Sequence, residues 1–141
     1  MALIAQFDVW ILNDTLEARE VQERIVGLLE QNAWPMRECF GVRLALEEAL
    51  VNAIKHGNRM DAEKKVYIAV ELTADEVTVV IEDQGDGFKV EEVPDPTDDD
   101  NLDKPGGRGI MLIRSFMNGL EYNDKGNRLT MRKKLGVATD E

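Results

Sequence analysis

Cysteine occurs once in the 141 residues, at Cys39. That excludes an intrachain disulfide and suits a reducing compartment. Basic residues are also in deficit: 17 Lys and Arg against 28 Asp and Glu leave a formal net charge of -11. Such a balance argues against direct nucleic-acid binding, which needs a basic footprint, and favours basic macromolecular partners. Long apolar runs are missing too. The opening MALIAQFDVWILND has no basic segment and meets Asp8 before an apolar run develops. Neither a signal peptide nor a membrane span is predicted, and a cytoplasmic protein is expected. No internal repeat is visible, and low complexity is confined to Asp98, Asp99 and Asp100.

What is present is a soluble-protein composition, 43% hydrophobic and 32% charged, in a length that suits one domain over 1–141. IAQFDVWIL (4–12) reads as a strand. A helix should come next over 13–32, capped by Asn13, Asp14 or Thr15, with Leu16, Val21, Ile25, Leu28 and Leu29 as its apolar stripe. Pro35 can open a second helix that runs to Gly57 as its C′ residue. VYIAVEL and EVTVVIED, joined by TAD, predict a hairpin. A long acidic stretch without apolar period, centred on about 88–106, reads as a lid or a disordered segment. RGIMLIRSFMNG then returns to helix, with Ile110, Ile113 and Met117 on one side, and the end suggests a hairpin turning at NDKGN. The order predicts an α+β fold, helices packed on one face of a mostly antiparallel sheet.

The second helix contains LALEEALVNAIKHG, residues 44–57. At roughly 100° per residue, Glu48 and Asn52 lie within about 40° of each other, with Lys55 and His56 on either side. Phe40, Val42, Leu44, Leu46, Ala49, Leu50, Val51, Ala53 and Ile54 make the rest of the helix apolar and mostly buried. The polar stripe must then face a pocket or a ligand, or form an internal network. Glu47 points elsewhere, in phase with Arg43, and a surface ion pair would account for it. A plainer reading of the stripe also stands: solvated Glu48 and Lys55, Asn52 capping a loop, and His56 favouring the helix dipole.

Two glycine motifs come later. EDQGDGF puts Asp83, Gly85 and Gly87 at a strand end, where the carboxylate can accept from an amine and the glycines allow close approach or positive φ. KPGGRGIML puts Gly107, Arg108 and Gly109 before a helix, where free N–H groups suit a phosphate. Each motif alone is equally an acidic turn or a glycine-rich helix start.

Taken in order, the three motifs carry a resemblance. EALVNAIKHG, DQGDGF and GGRGIMLIRSFMN are similar to the N, G1 and G2 boxes of the Bergerat-fold (GHKL) ATP-binding superfamily, most nearly its anti-sigma factor type of serine/threonine kinase. The likeness runs from the first strand to TMRKKL and implies a two-layer α/β sandwich, a mixed and mostly antiparallel sheet, and a mobile ATP lid. It implies ATP and Mg²⁺ as cofactors. Glu48 would be the general base toward a serine or threonine hydroxyl, and Asn52 the Mg²⁺ ligand. Lys55 would approach the phosphates. Asp83 would bind the adenine amino group, with Gly85 and Gly87 forming the base pocket. Gly107, Arg108 and Gly109 would hold the phosphates, Arg108 neutralising charge during transfer. Thr130 resembles a family threonine near the adenine, and is equally an ordinary strand threonine.

The resemblance implies a sigma factor or a similar basic regulatory protein as partner, an anti-sigma antagonist as phosphorylation substrate, and a homodimer. The alternative is a non-catalytic ATP-binding module that sequesters a protein without phosphorylating it; Glu48 argues against that. A two-component histidine kinase would need a phospho-accepting histidine on a dimerisation helix, and the one histidine here lies in the N box. Two departures stand out: Asn118 replaces an aspartate common in the family, and the lid carries Glu91, Glu92, Asp95, Asp98, Asp99, Asp100 and Asp103, which would repel a triphosphate. The lid must swing clear, be offset by metal and by Lys55, Lys104 and Arg108, or serve as a docking surface for a basic partner.

Overall fold

The computed structural model describes residues 3–59, 61–85, 113 and 116–136. Strand β1 (Ala5–Leu12) leads into helix α1 (Thr15–Gln31), whose N-cap is Asp14: its Oδ1 accepts from the Leu16 N–H at 2.7 Å. Val21, Ile25, Val26 and Leu29 form the buried stripe of α1, but Leu16 lies in the first turn and is 68% exposed, outside the stripe expected of it. Gln22 is buried instead, its Nε2 donating to the Arg43 carbonyl at 2.9 Å and tying α1 to the next helix. That helix, α2 (Met36–Val51), starts behind Pro35 and buries Val42, Ala45, Leu46, Ala49 and Leu50. Phe40, expected on its apolar side, is exposed.

Strands β2 (Lys65–Leu72), β3 (Glu76–Asp83), β4 (Gly119–Tyr122) and β5 (Arg128–Lys134) complete a five-stranded sheet in the order β1-β2-β3-β5-β4. Every pairing among the described residues is antiparallel, in keeping with the mostly antiparallel sheet expected. β2–β3 and β4–β5 are the two predicted hairpins. Alternation along the strands sends Val66, Ile68, Val70, Val77, Val79, Ile81, Leu129 and Met131 inward, where they share one core with the buried faces of α1 and α2. The expected lid, and the helix expected over 108–119 apart from helical Ile113 and Phe116, lie outside the described residues. Ile113 is buried in the core, and Phe116 lies on Gly41 of α2, where an added Cβ would meet its ring at 3.1 Å.

α1 ends in a Schellman motif. The Trp34 N–H reaches the Leu29 carbonyl at 3.0 Å and the Ala33 N–H reaches that of Glu30 at 3.1 Å. The motif needs a left-handed residue, and Ala33 supplies it at φ 61°, a conformation that costs a residue with a Cβ roughly 1–2 kcal/mol. Part of this returns when the Cβ is removed, the rest being offset by the greater freedom of glycine in the unfolded chain. Ala33→Gly should therefore stabilise the protein by about 0.5–1 kcal/mol, seen as a raised denaturation midpoint with an unchanged slope.

Candidate functional site

Helical phase separates the two adjacent glutamates as expected: Glu47 is exposed and Glu48 is half-buried. Glu47 does not take Arg43, however, because Arg43 turns across to Glu23 of α1. Asn52 is half-buried like Glu48. Among the described residues the side chains of Glu48, Asn52 and Lys55 make no hydrogen bond or ion pair, so the stripe is not an internal network. Two half-buried polar groups without protein partners, on a helix whose other side is core, face an opening rather than the interior.

The helix does not continue as α to Gly57. At Asn52 it widens into a π-helical turn, Asn52–Gly57, closed by the Asn58 N–H on the Ala53 carbonyl, five residues back, at 2.8 Å. Such turns recur at functional sites because they carry an extra residue and re-aim the chain beyond it. Lys55 and His56 are left exposed on it. Gly57 is not the left-handed C′ residue that was expected; the left-handed residue is Arg59, at φ 52°.

Gly57 has a different reason to lack a side chain. A Cβ there would lie 2.2 Å from Asp83 Oδ2, and a Cβ on Gly85 would lie 1.8 Å from the Gly57 carbonyl oxygen. The end of the π turn and the end of β3 therefore touch backbone to backbone, with the Asp83 carboxylate lying against the α-carbon of Gly57. Asp83 shares the inward parity of Val77, Val79 and Ile81, so it points to the helix side of the sheet. Its Oδ1 accepts from the Gly85 N–H at 2.9 Å. Burial pushes its carboxyl above the ordinary value of 3.8; the Gly85 N–H and, more weakly, Lys125 and Lys64 pull the other way, while Glu82 adds to the rise.

Asparagines missed in the sequence hold this corner. Asn58 is fully buried: Nδ2 donates to Asn13 Oδ1 at 3.1 Å and to the Lys65 carbonyl at 3.0 Å, and Oδ1 accepts from the Gln84 N–H at 2.7 Å. From the β4–β5 turn, the Asn127 carbonyl accepts from the Asp83 N–H at 2.9 Å, and Asn127 Nδ2 donates to the Asp83 carbonyl at 3.0 Å. The only local signal for Asn58 is its place directly after the helix-ending Gly57.

Of the candidate site residues, the structure brings Glu48, Asn52, Lys55, Asp83 and Gly85 onto one helix end and the strand end it touches. Thr130 is not brought there: it pairs with Val80 and has the outward parity of Thr78 and Glu82, on the sheet face away from the helices. Gly87, Gly107, Arg108 and Gly109 lie outside the described residues.

Two helices on one face of an antiparallel sheet, with a polar helix stripe meeting a strand-end aspartate, define a Bergerat-type α+β fold. The overall architecture is similar to a Mycobacterium tuberculosis crystal structure of RsbU and RsbW domains, with a TM-score of 0.63 and 13% identity, covering 97% of this chain and 34% of that one. The profile of the histidine kinase-like ATPase domain matches residues 12–133, and the chain belongs to that family. It is 34% identical over 108 residues to an anti-sigma F factor of Clostridium perfringens, covering 72% of this chain and 76% of that protein. It is 33% identical over 106 residues to an anti-sigma F factor of Oceanobacillus iheyensis, at 71% and 72% coverage. It is 31% identical over 99 residues to a serine-protein kinase RsbW of Staphylococcus epidermidis, at 64% and 62%.

The contact and the burial of Asp83 each have a measurable consequence. Gly85→Ala drives a Cβ into backbone that cannot swing away, so it should cost about 1–3 kcal/mol in denaturant unfolding. The raised Asp83 carboxyl means that the folded state holds a proton more readily than the unfolded chain. Its contribution to stability without ligand therefore falls as pH rises from 3.8 through the raised folded-state value. Denaturant unfolding across this range would check it, and Asp83→Asn should flatten the dependence.

Proposed function

We infer that the chain is an ATP-binding anti-sigma regulatory factor with serine/threonine protein kinase activity, one that phosphorylates an antagonist protein in a partner-switching circuit. The observation that carries this reading is the half-buried pair Glu48 and Asn52, without partners among the described residues, on a helix whose end abuts Asp83. The names borne by its relatives, anti-sigma F factor and serine-protein kinase, support the same reading.

The residues fit ATP in their assigned roles. Asp83, desolvated and backed by the Gly85 N–H, accepts from the adenine amino group, and Gly57 and Gly85 leave the backbone bare around it. Asn52 offers one neutral oxygen, and no cluster of three metal-binding side chains occurs among the described residues. That donor set suits Mg²⁺, which keeps waters and shares phosphate oxygens rather than sitting in an all-protein cage; bound there, it would offset phosphate charge. Lys55, exposed on the π turn, approaches the phosphates; the roles of Gly107, Arg108 and Gly109 toward the phosphates and of Gly87 toward the base rest on the sequence motifs alone. Glu48 takes the proton of the incoming serine or threonine hydroxyl as that oxygen bonds to the γ-phosphorus and ADP leaves.

The partners on this reading are a sigma factor or similar basic regulatory protein, drawn by the acidic surface, and the antagonist that receives the phosphate. The protein would work as a homodimer in the cytoplasm. No described helix is long and apolar enough to cross a membrane.

Mg-ATP or Mg-ADP at about 100 times its Kd should stabilise the protein by about 2.7 kcal/mol in a thermal shift titration. Asp83→Asn, losing about tenfold in affinity, should lower that shift to about 1.4 kcal/mol at the same nucleotide concentration. Glu48→Ala should keep the shift and lose phosphate transfer to the antagonist. Absence of any nucleotide shift would remove the ATP-binding reading. A shift without Glu48-dependent transfer to any candidate antagonist would leave a module that binds without phosphorylating.

A further inference from the structure

The peptide unit that joins Asp83 to Gln84 is held from both sides. Its carbonyl accepts from Asn127 Nδ2 at 3.0 Å, and its N–H donates to Asn58 Oδ1 at 2.7 Å. The preceding N–H, that of Asp83, is taken by the Asn127 carbonyl at 2.9 Å. This is more than the β3–β5 ladder supplies, since that ladder ends at Glu82 opposite Arg128. Each asparagine is itself oriented. Asn58 spends both amide hydrogens, one on Asn13 Oδ1 and one on the Lys65 carbonyl, in a fully buried position. Asn127 Oδ1 accepts from Asn123 Nδ2 at 2.9 Å, and Asn123 Oδ1 in turn takes the N–H groups of Gly126, Asn127 and Arg128 at 2.8, 3.1 and 3.1 Å.

A buried asparagine with both donors and its acceptor engaged is chemically specified. An aspartate at 58 would turn an oxygen toward the Lys65 carbonyl, and an alanine would leave that carbonyl and the Gln84 N–H without a side-chain partner. The clamp does not touch the face on which Glu48 and Asn52 lie. It acts on the N–H and carbonyl of Asp83 and on the N–H of Gln84, the backbone that aims the carboxylate.

We propose that Asn58 and Asn127 are a pair of positioning residues, clamping the peptide after Asp83 so that the carboxylate is aimed for an amino-bearing purine. This deepens the nucleotide reading and rests on it. The consequence is specificity rather than grip. Aim matters for a base that donates a hydrogen from its exocyclic amine, and matters little for a base that presents a carbonyl there.

The test is the ratio of affinities for Mg-ATP and Mg-ITP, which differ in that exocyclic group, measured calorimetrically below the unfolding transition. Wild-type protein should prefer ATP by about tenfold or more, the worth of one hydrogen bond to a charged group. Asp83→Asn should bring the ratio near one. Asn58→Ala and Asn127→Ala should each cut it at least threefold or so while ITP affinity moves less than that. A merely structural role would lower stability and both affinities together, leaving the ratio unchanged.

Asn127 lies in a turn and is half-buried, so its variant decides the matter if Asn58→Ala does not fold. Wild-type protein that binds ATP and ITP alike would overturn the adenine role of Asp83 and the clamp with it. A full wild-type ratio in the asparagine variants, alongside its loss in Asp83→Asn, would overturn the clamp alone.

Discussion

The contact between bare backbone at Gly57 and the Asp83–Gly85 strand end is the constraint on which the rest depends. A Cβ on Gly57 would lie 2.2 Å from an Asp83 carboxylate oxygen and displace that carboxylate, and a Cβ on Gly85 would lie 1.8 Å from the Gly57 carbonyl and displace main chain. The contact sets the distance between the end of the polar helix and the end of β3. It thereby fixes how far the Glu48–Asn52 stripe lies from the aspartate that would read a base. The π turn meets the same requirement: it delivers Gly57 and Asn58 to the strand ends, which places Asn58 among Asn13, Lys65 and Gln84.

Two kinds of polar group meet at this corner, and their energetics differ. The asparagines are satisfied, so their burial carries little penalty and holds the backbone rigidly. Glu48 and Asn52 are half-buried without partners among the described residues, and Asp83 is desolvated enough to raise its carboxyl. Unmet polar groups beside a fully met scaffold are what a ligand site requires: the scaffold resists relaxation, and the ligand supplies the missing partners.

Much of this was legible in the residues. The bounds of β3, both hairpins and the division between Glu47 and Glu48 all come from periodicity, which is local and survives into the structure. What was not legible depended on packing partners far away in sequence. Gly57 reads locally as a helix stop, and only the approach of Asp83, 26 positions later, explains it. Arg43 lies in phase with Glu47, yet Glu23 on the neighbouring helix takes it. Leu16 and Phe40 fit apolar stripes but, among the described residues, fall where no element covers them. Thr130 has a familiar place in the chain, and a one-residue parity puts it on the other face of the sheet.

The most direct measurement of the central claim, that one nucleotide spans the helix stripe and the strand end, is a crystal structure with Mg²⁺ and a non-hydrolysable ATP analogue. The adenine amino nitrogen should lie at about 2.7–3.2 Å from an Asp83 carboxylate oxygen, and Asn52 Oδ1 at about 2.0–2.1 Å from the metal. A nucleotide bound with its base away from Asp83, or with Asn52 outside the metal's coordination, would contradict it.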